Sequence, residues 1–162
     1  MKKAFTTTLL FLSFVTVFSQ ALLTGKVIGV KDGDTIEVID NHHHTTILRL
    51  AEVDCPEKKQ AFGNKAKQFT SEAVYLKTIT YQVTDIDRYG RSIAKVYYDN
   101  KYLSAEIIKN GMGWQYKKYS NSTVLAQLEL QARTKKIGLW KDPNPIYPSE
   151  FRKAKKAKTK FW

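Results

Sequence analysis

The chain has 162 residues, 43% of them apolar and 12% aromatic. That suits one domain around one core and excludes a disordered chain; the single cysteine, Cys55, also excludes an internal disulfide. The formal net charge of +12 draws polyanions (nucleic acid, anionic membrane or acidic polysaccharide), and charge alone does not choose among them.

Lys2 and Lys3 precede an apolar run from Leu9 to Phe18, and small residues follow at Ser19 and Ala21. This is the pattern of an export signal over residues 1–21, cleaved after Ser19 or Ala21, with retention as an uncleaved anchor the alternative. The run is too short for a membrane span, so no stable membrane association is expected after its removal. Leu22 to Val30 predicts a strand. Lys31 to Asp34 is a turn signal, with Gly33 able to take a positive φ. Thr35 to Ile39 alternates apolar and polar like a half-buried strand, Asp40 to His44 is a hairpin loop, and Thr45 to Val53 is a third strand.

Phe62, Ala66, Phe69, Ala73 and Leu76 recur at spacings of four and three, which predicts one face of a helix. Ile79 to Ile86 and Ser92 to Tyr98 are two more strands, joined by the charged turn Asp87–Arg91. Leu103 to Lys109 is a short helix stopped at Asn110-Gly111. Ser122 caps a last helix to about Lys136, with Leu125, Leu128 and Ala132 as its buried stripe. Prolines at 143, 145 and 148 are expected to forbid regular structure. The tail over residues 143–162 ends in a mobile basic segment whose lysines could bind a polyanion and whose Phe161 and Trp162 could stack on bases. Five strands with three helices predict an α+β fold over residues 22–142, built on a five-stranded barrel of the oligonucleotide-binding (OB-fold) kind.

The acids gather at one end of that barrel. Asp32 and Asp34 flank Gly33 at a strand start, and Asp54 and Glu57 follow the third strand. If strands two and three form a hairpin, Asp34 and Asp54 come close. Two carboxylates there repel unless a cation lies between them, and hard oxygen ligands suit calcium or magnesium. Arg49 alternates away from Leu48 and Leu50, so it faces the site. Arg91 leaves the Asp87–Arg91 turn. Planar guanidinium forks match phosphate oxygens, though plain salt bridges would use the same residues.

The stretches DGDTIEV (Asp32–Val38), RLAEVDCPE (Arg49–Glu57), QAFGNKAKQF (Gln60–Phe69), DRYGR (Asp87–Arg91) and GLW (Gly138–Trp140) occur in order and register over residues 24 to 141. In these the chain resembles the staphylococcal nuclease family, the thermonucleases. The resemblance implies an OB-fold barrel with three helices. It also implies a calcium-dependent phosphodiesterase that acts on DNA and RNA and leaves 3′-phosphates. On the matching positions, it implies that Asp34, Asp54 and the backbone carbonyl of Cys55 are calcium ligands. Arg49 and Arg91 would bind phosphate, and Glu57 would be the general base. Arg88, Tyr89, Tyr116 and Tyr119 would contact the nucleotide. Two departures matter: Cys55 stands where the family has threonine, and the segment between Glu57 and the first helix is shorter than in the prototype.

His42-His43-His44 alternates between faces and fits an exposed hairpin tip better than a metal site. Trp114 fits the core. A monomeric secreted nuclease, extracellular or periplasmic, is the leading reading. A noncatalytic OB-fold nucleic-acid-binding module is the alternative; such a module would be expected to lack some of Asp34, Arg49, Asp54, Glu57 and Arg91, and this chain has all five.

Overall fold

The computed structural model describes residues 21–159. The expected export signal, apart from Ala21, and the Phe161–Trp162 pair lie outside the described residues. In chain order the elements are β1 (Leu23–Asp32), β2 (Thr35–Ile39), β3 (Thr45–Leu50), β4 (Val53–Asp54), α1 (Gly63–Val74), β5 (Thr78–Ile86), β6 (Ser92–Tyr98), β7 (Lys101–Tyr102), α2 (Leu103–Lys109), β8 (Trp114–Gln115), α3 (Thr123–Thr134), a 3-10 turn (Gly138–Lys141) and α4 (Pro148–Thr159).

β1, β2 and β3 form the expected antiparallel meander, and β1 also pairs with β5, which pairs with β6. A parallel pairing of β3 with β6 closes the ring into a five-stranded barrel. The barrel fills because each strand alternates: Ile36 and Val38 of β2 point into the core beside Val27, Leu48, Leu50 and Val96. Glu37 stays on the outside and pairs with Lys31 at 2.9 Å. Helices α1 and α2 plug the barrel with Val74, Ile107 and Ile108, all fully buried. Each such aliphatic side chain contributes about 1.5–3 kcal/mol by leaving water. Among the described residues, no helix is long and apolar enough to cross a membrane.

Four expectations change. The third strand ends at Leu50, because the chain turns through Glu52 at φ 66° before the two-residue β4 pairs with β8. The buried face of α1 is Gly63, Ala66, Thr70 and Val74, with Phe69 and Ala73 at its margin. Leu76 is exposed because the helix has already ended and the backbone there is left-handed. Gly33 is required for space rather than for positive φ: a Cβ there would lie 2.8 Å from the Cβ atoms of both Ala66 and Cys55.

The largest change is at the C-terminal end. The prolines do not forbid structure, and Pro148 is the first residue of a fourth helix, α4. Proline suits that position because the first turn needs no intrahelical N–H and its φ is already helical. Glu150 in the same turn suits the positive helix end.

Candidate active site

The β2–β3 register places Thr35 opposite Arg49. Asp34, just before β2, therefore lies beside the end of β3, as the hairpin argument requires. The β4–β8 pairing sets Asp54 opposite Trp114 and holds it at the same rim. The N–H of Cys55 donates to Asp34 Oδ2 at 2.9 Å, which ties the two acidic segments directly. Thr35 Oγ1 donates to the other oxygen, Oδ1, at 3.1 Å.

Arg49 is buried between these acids. Its Nη2 lies 3.1 Å from Asp34 Oδ2 and 3.1 Å from Asp54 Oδ1. Its Nη1 donates to the carbonyls of Leu50 at 2.7 Å and Val53 at 2.8 Å. Burial opposes its charge, but Asp34 and Asp54 more than offset that and hold its pKa above the usual arginine value. With both terminal nitrogens engaged, Arg49 has only Nε left for a ligand.

Arg91 is placed by its own turn. Asp87 accepts hydrogen bonds from the backbone N–H groups of Tyr89 and Arg91, at 2.9 and 3.0 Å. It also takes Arg91 Nε and Nη2, both at 2.7 Å. Desolvation alone would raise the Asp87 pKa; these donors outweigh it and leave the carboxyl below its ordinary value. Among the described residues Arg91 Nη1 has a single long contact, 3.5 Å to Thr35 Oγ1, which leaves this end of the fork open.

These groups line one cleft of about 520 Å³, together with Glu57, Arg88, Tyr89, Tyr116, Tyr119 and Arg152. Tyr89 is exposed, with the Arg88 and Arg91 guanidinium carbons 4.9 and 5.7 Å from its ring centre. Tyr116 and Tyr119 meet edge to face at 4.8 Å on the cleft wall. All ten residues singled out in the sequence thus border a single cleft. Trp114 does not: it packs against Trp140 and Tyr147 as core. The three histidines lie at the exposed hairpin tip.

Cys55 is buried, with Sγ packed towards Gly33 and Gly113. Burial, and then the Asp34 charge, push its thiol pKa well above the usual value. The thiolate that nucleophilic chemistry needs is therefore suppressed.

The carboxylates fit a hard cation. Burial, followed by the Asp34 charge, raises the pKa of both Asp32 and Asp54. Asp32 Oδ1 is buried with no hydrogen-bond partner among the described residues. An orphaned acceptor beside crowded, desolvated carboxylates is relieved by positive charge. Among the described residues, no three His, Cys, Asp or Glu side chains converge into a metal cluster. The oxygens of Asp34 and Asp54 already accept from Thr35, the Cys55 N–H, Arg49 and Arg152, so a cation there would share them with these donors and complete its shell with water.

Sequence reasoning places Asp32 at the rim without a role, and it does not reach Arg152. Asp32 looks like an ordinary turn residue until its orphaned oxygen is seen. Arg152, from α4, donates to Glu57 Oε1 at 2.6 Å and reaches Asp54 Oδ2 at 3.3 Å. No local signal separates it from the neighbouring lysines.

Comparison with known proteins finds nuclease relatives. The family described as "Staphylococcal nuclease homologue" matches residues 47–142. An "Uncharacterized endonuclease" of Haemophilus influenzae is 39% identical over 156 residues, covering 96% of this chain and 88% of its own. A "Micrococcal nuclease" of Shigella flexneri is 35% identical over 156 residues, covering 90% and 89%. A "Staphylococcal-like nuclease" of Arabidopsis thaliana is 36% identical over 109 residues, covering 67% of this chain and 34% of the plant protein. With a closed OB-fold barrel, an acid–arginine cleft at its rim and relatives matched along nearly its whole length, the chain belongs to the staphylococcal nuclease family.

Proposed function

We propose that this protein is a calcium-dependent nuclease that hydrolyses phosphodiester bonds of DNA and RNA and leaves 3′-phosphate ends. The observation that carries the reading is the convergence of Asp34, Asp54, Glu57, Arg49 and Arg91 on one cleft. Stacking rings and basic side chains at the same cleft suit a single-stranded polynucleotide. The chain is read as exported, which the signal-like N-terminus supports, and as acting as a monomer.

Asp34 and Asp54, with the Cys55 carbonyl, would hold the calcium ion. When bound, it supplies charge neutralisation for the phosphate. Asp32, one residue behind the turn, adds negative potential to the same place. Arg91 presents its open Nη1 to a non-bridging phosphate oxygen, and Arg49 presents Nε. Both bonds strengthen as negative charge builds on the five-coordinate phosphorus. Glu57 accepts a proton from the attacking water; as the new P–O bond forms the P–O5′ bond breaks, and the departing 5′-oxygen takes a proton from solvent to give a 5′-hydroxyl beside the 3′-phosphate. Arg88 and Tyr89 on one turn, and Tyr116 and Tyr119 on the β8 side, hold the neighbouring nucleotides.

The test is cleavage of DNA and of RNA by the full mature chain, with calcium and with chelator, followed by end-group analysis. Calcium-dependent fragments ending in 3′-phosphate are expected. Tight binding without cleavage would instead identify a noncatalytic nucleic-acid-binding module.

A further inference from the structure

Glu57 is the group to which the reaction assigns proton transfer, so what holds its carboxylate bears directly on rate. It lies on the loop between β4 and α1, where side chains are free to rotate unless something ties them. Its backbone N–H donates to Gln60 Oε1 at 3.1 Å. Among the described residues, the hydrogen bond to its carboxylate comes from Arg152, 95 positions away in sequence.

Arg152 is itself held in place. The Gln60 side chain that takes the Glu57 N–H also donates, through Nε2, to the carbonyl of Ile146, two residues before α4. Tyr147 packs its ring 5.4 Å from Trp114 and donates its hydroxyl to the carbonyl of Gln115 at 3.4 Å. The base loop and the start of α4 are thus joined twice, once through Gln60 and once through the Glu57–Arg152 pair. A guanidinium delivered from a helix on a fixed hinge loses less freedom on pairing than one on a loose tail.

We infer that Arg152 is a positioning residue for hydrolysis: it orients the Glu57 carboxylate towards the attacking water, and α4 is the element that delivers it. The inference rests on the nuclease reading above and on the role of Glu57 within it. The contact to Glu57 at 2.6 Å is shorter than that to Asp54 at 3.3 Å. Glu57 is therefore the principal partner, and the pair uses one carboxylate oxygen, leaving Oε2 for water. The second arm, towards Asp54, adds positive charge where the acids crowd.

A double-mutant cycle tests this on the full mature chain, with single-stranded DNA and saturating calcium. The variants are Arg152→Ala, Arg152→Lys, Glu57→Gln and Arg152→Ala/Glu57→Gln, each checked for a cooperative melt. Wild-type cleavage and its loss in Glu57→Gln establish the underlying reading independently. Arg152→Ala is expected to lower kcat by about 10- to 100-fold, with KM changed less than threefold. Arg152→Lys should recover part of the loss, because an ammonium can hold Glu57 but cannot span both acids. In the Glu57→Gln background, adding Arg152→Ala should cost less than threefold more. Three outcomes would overturn the inference. They are unchanged kcat in Arg152→Ala, equal losses in both backgrounds, and a rise in activity, which would make α4 an inhibitory strap.

Discussion

Arg49 and Arg91 carry the same charge but differ in what remains for a ligand. Arg49 spends both terminal nitrogens on two carboxylates and two carbonyls. It acts mainly as the cation that lets Asp34 and Asp54 coexist at the rim. Arg91 spends Nε and Nη2 on Asp87 and keeps Nη1 open. Arg91→Ala is therefore expected to lower kcat by about 10²–10³-fold without changing the melting temperature by more than a degree or two. Arg91→Lys should rescue poorly, since a single ammonium cannot bind Asp87 and phosphate in the same fork. Steady-state kinetics with a matched thermal melt checks both; near-normal turnover in the lysine variant would reduce Arg91 to a point charge. Cys55, the residue most conspicuous in the sequence, has its thiol held neutral by burial, and what reaches Asp34 is its backbone N–H. A residue type announces reactivity, but burial decides whether the reactive form exists.

At the scale of elements, the turn between β1 and β2 shows why spacing and space are different constraints. Gly33 allows α1 to pack directly on the turn, where Thr70 donates to the Gly33 carbonyl at 2.6 Å and Ala66 fills the remaining volume. Gly33→Ala should destabilise the protein by about 1–3 kcal/mol through overpacking. Because Asp34 and Cys55 flank the clash, kcat should fall as well in the fraction that remains folded. Denaturant unfolding together with activity per folded molecule reads both effects; an unchanged midpoint would mean that α1 yields without strain. The five strands and the first three helices were legible in the sequence because period two and period 3.6 are local signals. Ser122 caps α3 as expected, accepting from the Leu125 N–H at 3.2 Å. Glu129 was not expected in the buried face of α3. It is there because it accepts from the Gln115 N–H at 2.6 Å and from Arg133. The helix α4 is not legible in the sequence because closely spaced prolines signal a break, whereas at a first helical position proline is tolerated.

At the scale of the whole molecule, part of the basic excess lies at the cleft. Arg88 and Lys118 border the acid–arginine cleft, and α4 brings Arg152 to it with exposed Lys153 and Lys156 close behind in the helix. If polynucleotide is held along this surface, cleavage is strongly salt-dependent. KM for single-stranded DNA is expected to rise at least about tenfold between roughly 50 and 200 mM monovalent salt, with kcat less affected. A flat KM across that range would show that phosphate contacts outside the cleft contribute little. Barrel closure belongs to this scale too. The parallel β3–β6 pairing brings Arg49 level with Ile93, and so sets Arg91, just before β6, beside the acids of the first hairpin.

By itself, the sequence determined the strands, the hairpin that joins Asp34 to Asp54, the outward face of Arg49 and the charged turn that carries Arg91. These follow from alternation and turn chemistry over a few residues. Tertiary structure alone decided that Cys55 is sealed, that Arg49 is consumed by its neighbours and that Asp32 keeps an oxygen unpartnered among the described residues. It also decided that Arg152 reaches Glu57 across 95 positions. The physical reason is common to all four: desolvation and pairing depend on what surrounds a group in space, and local spacing carries no record of that.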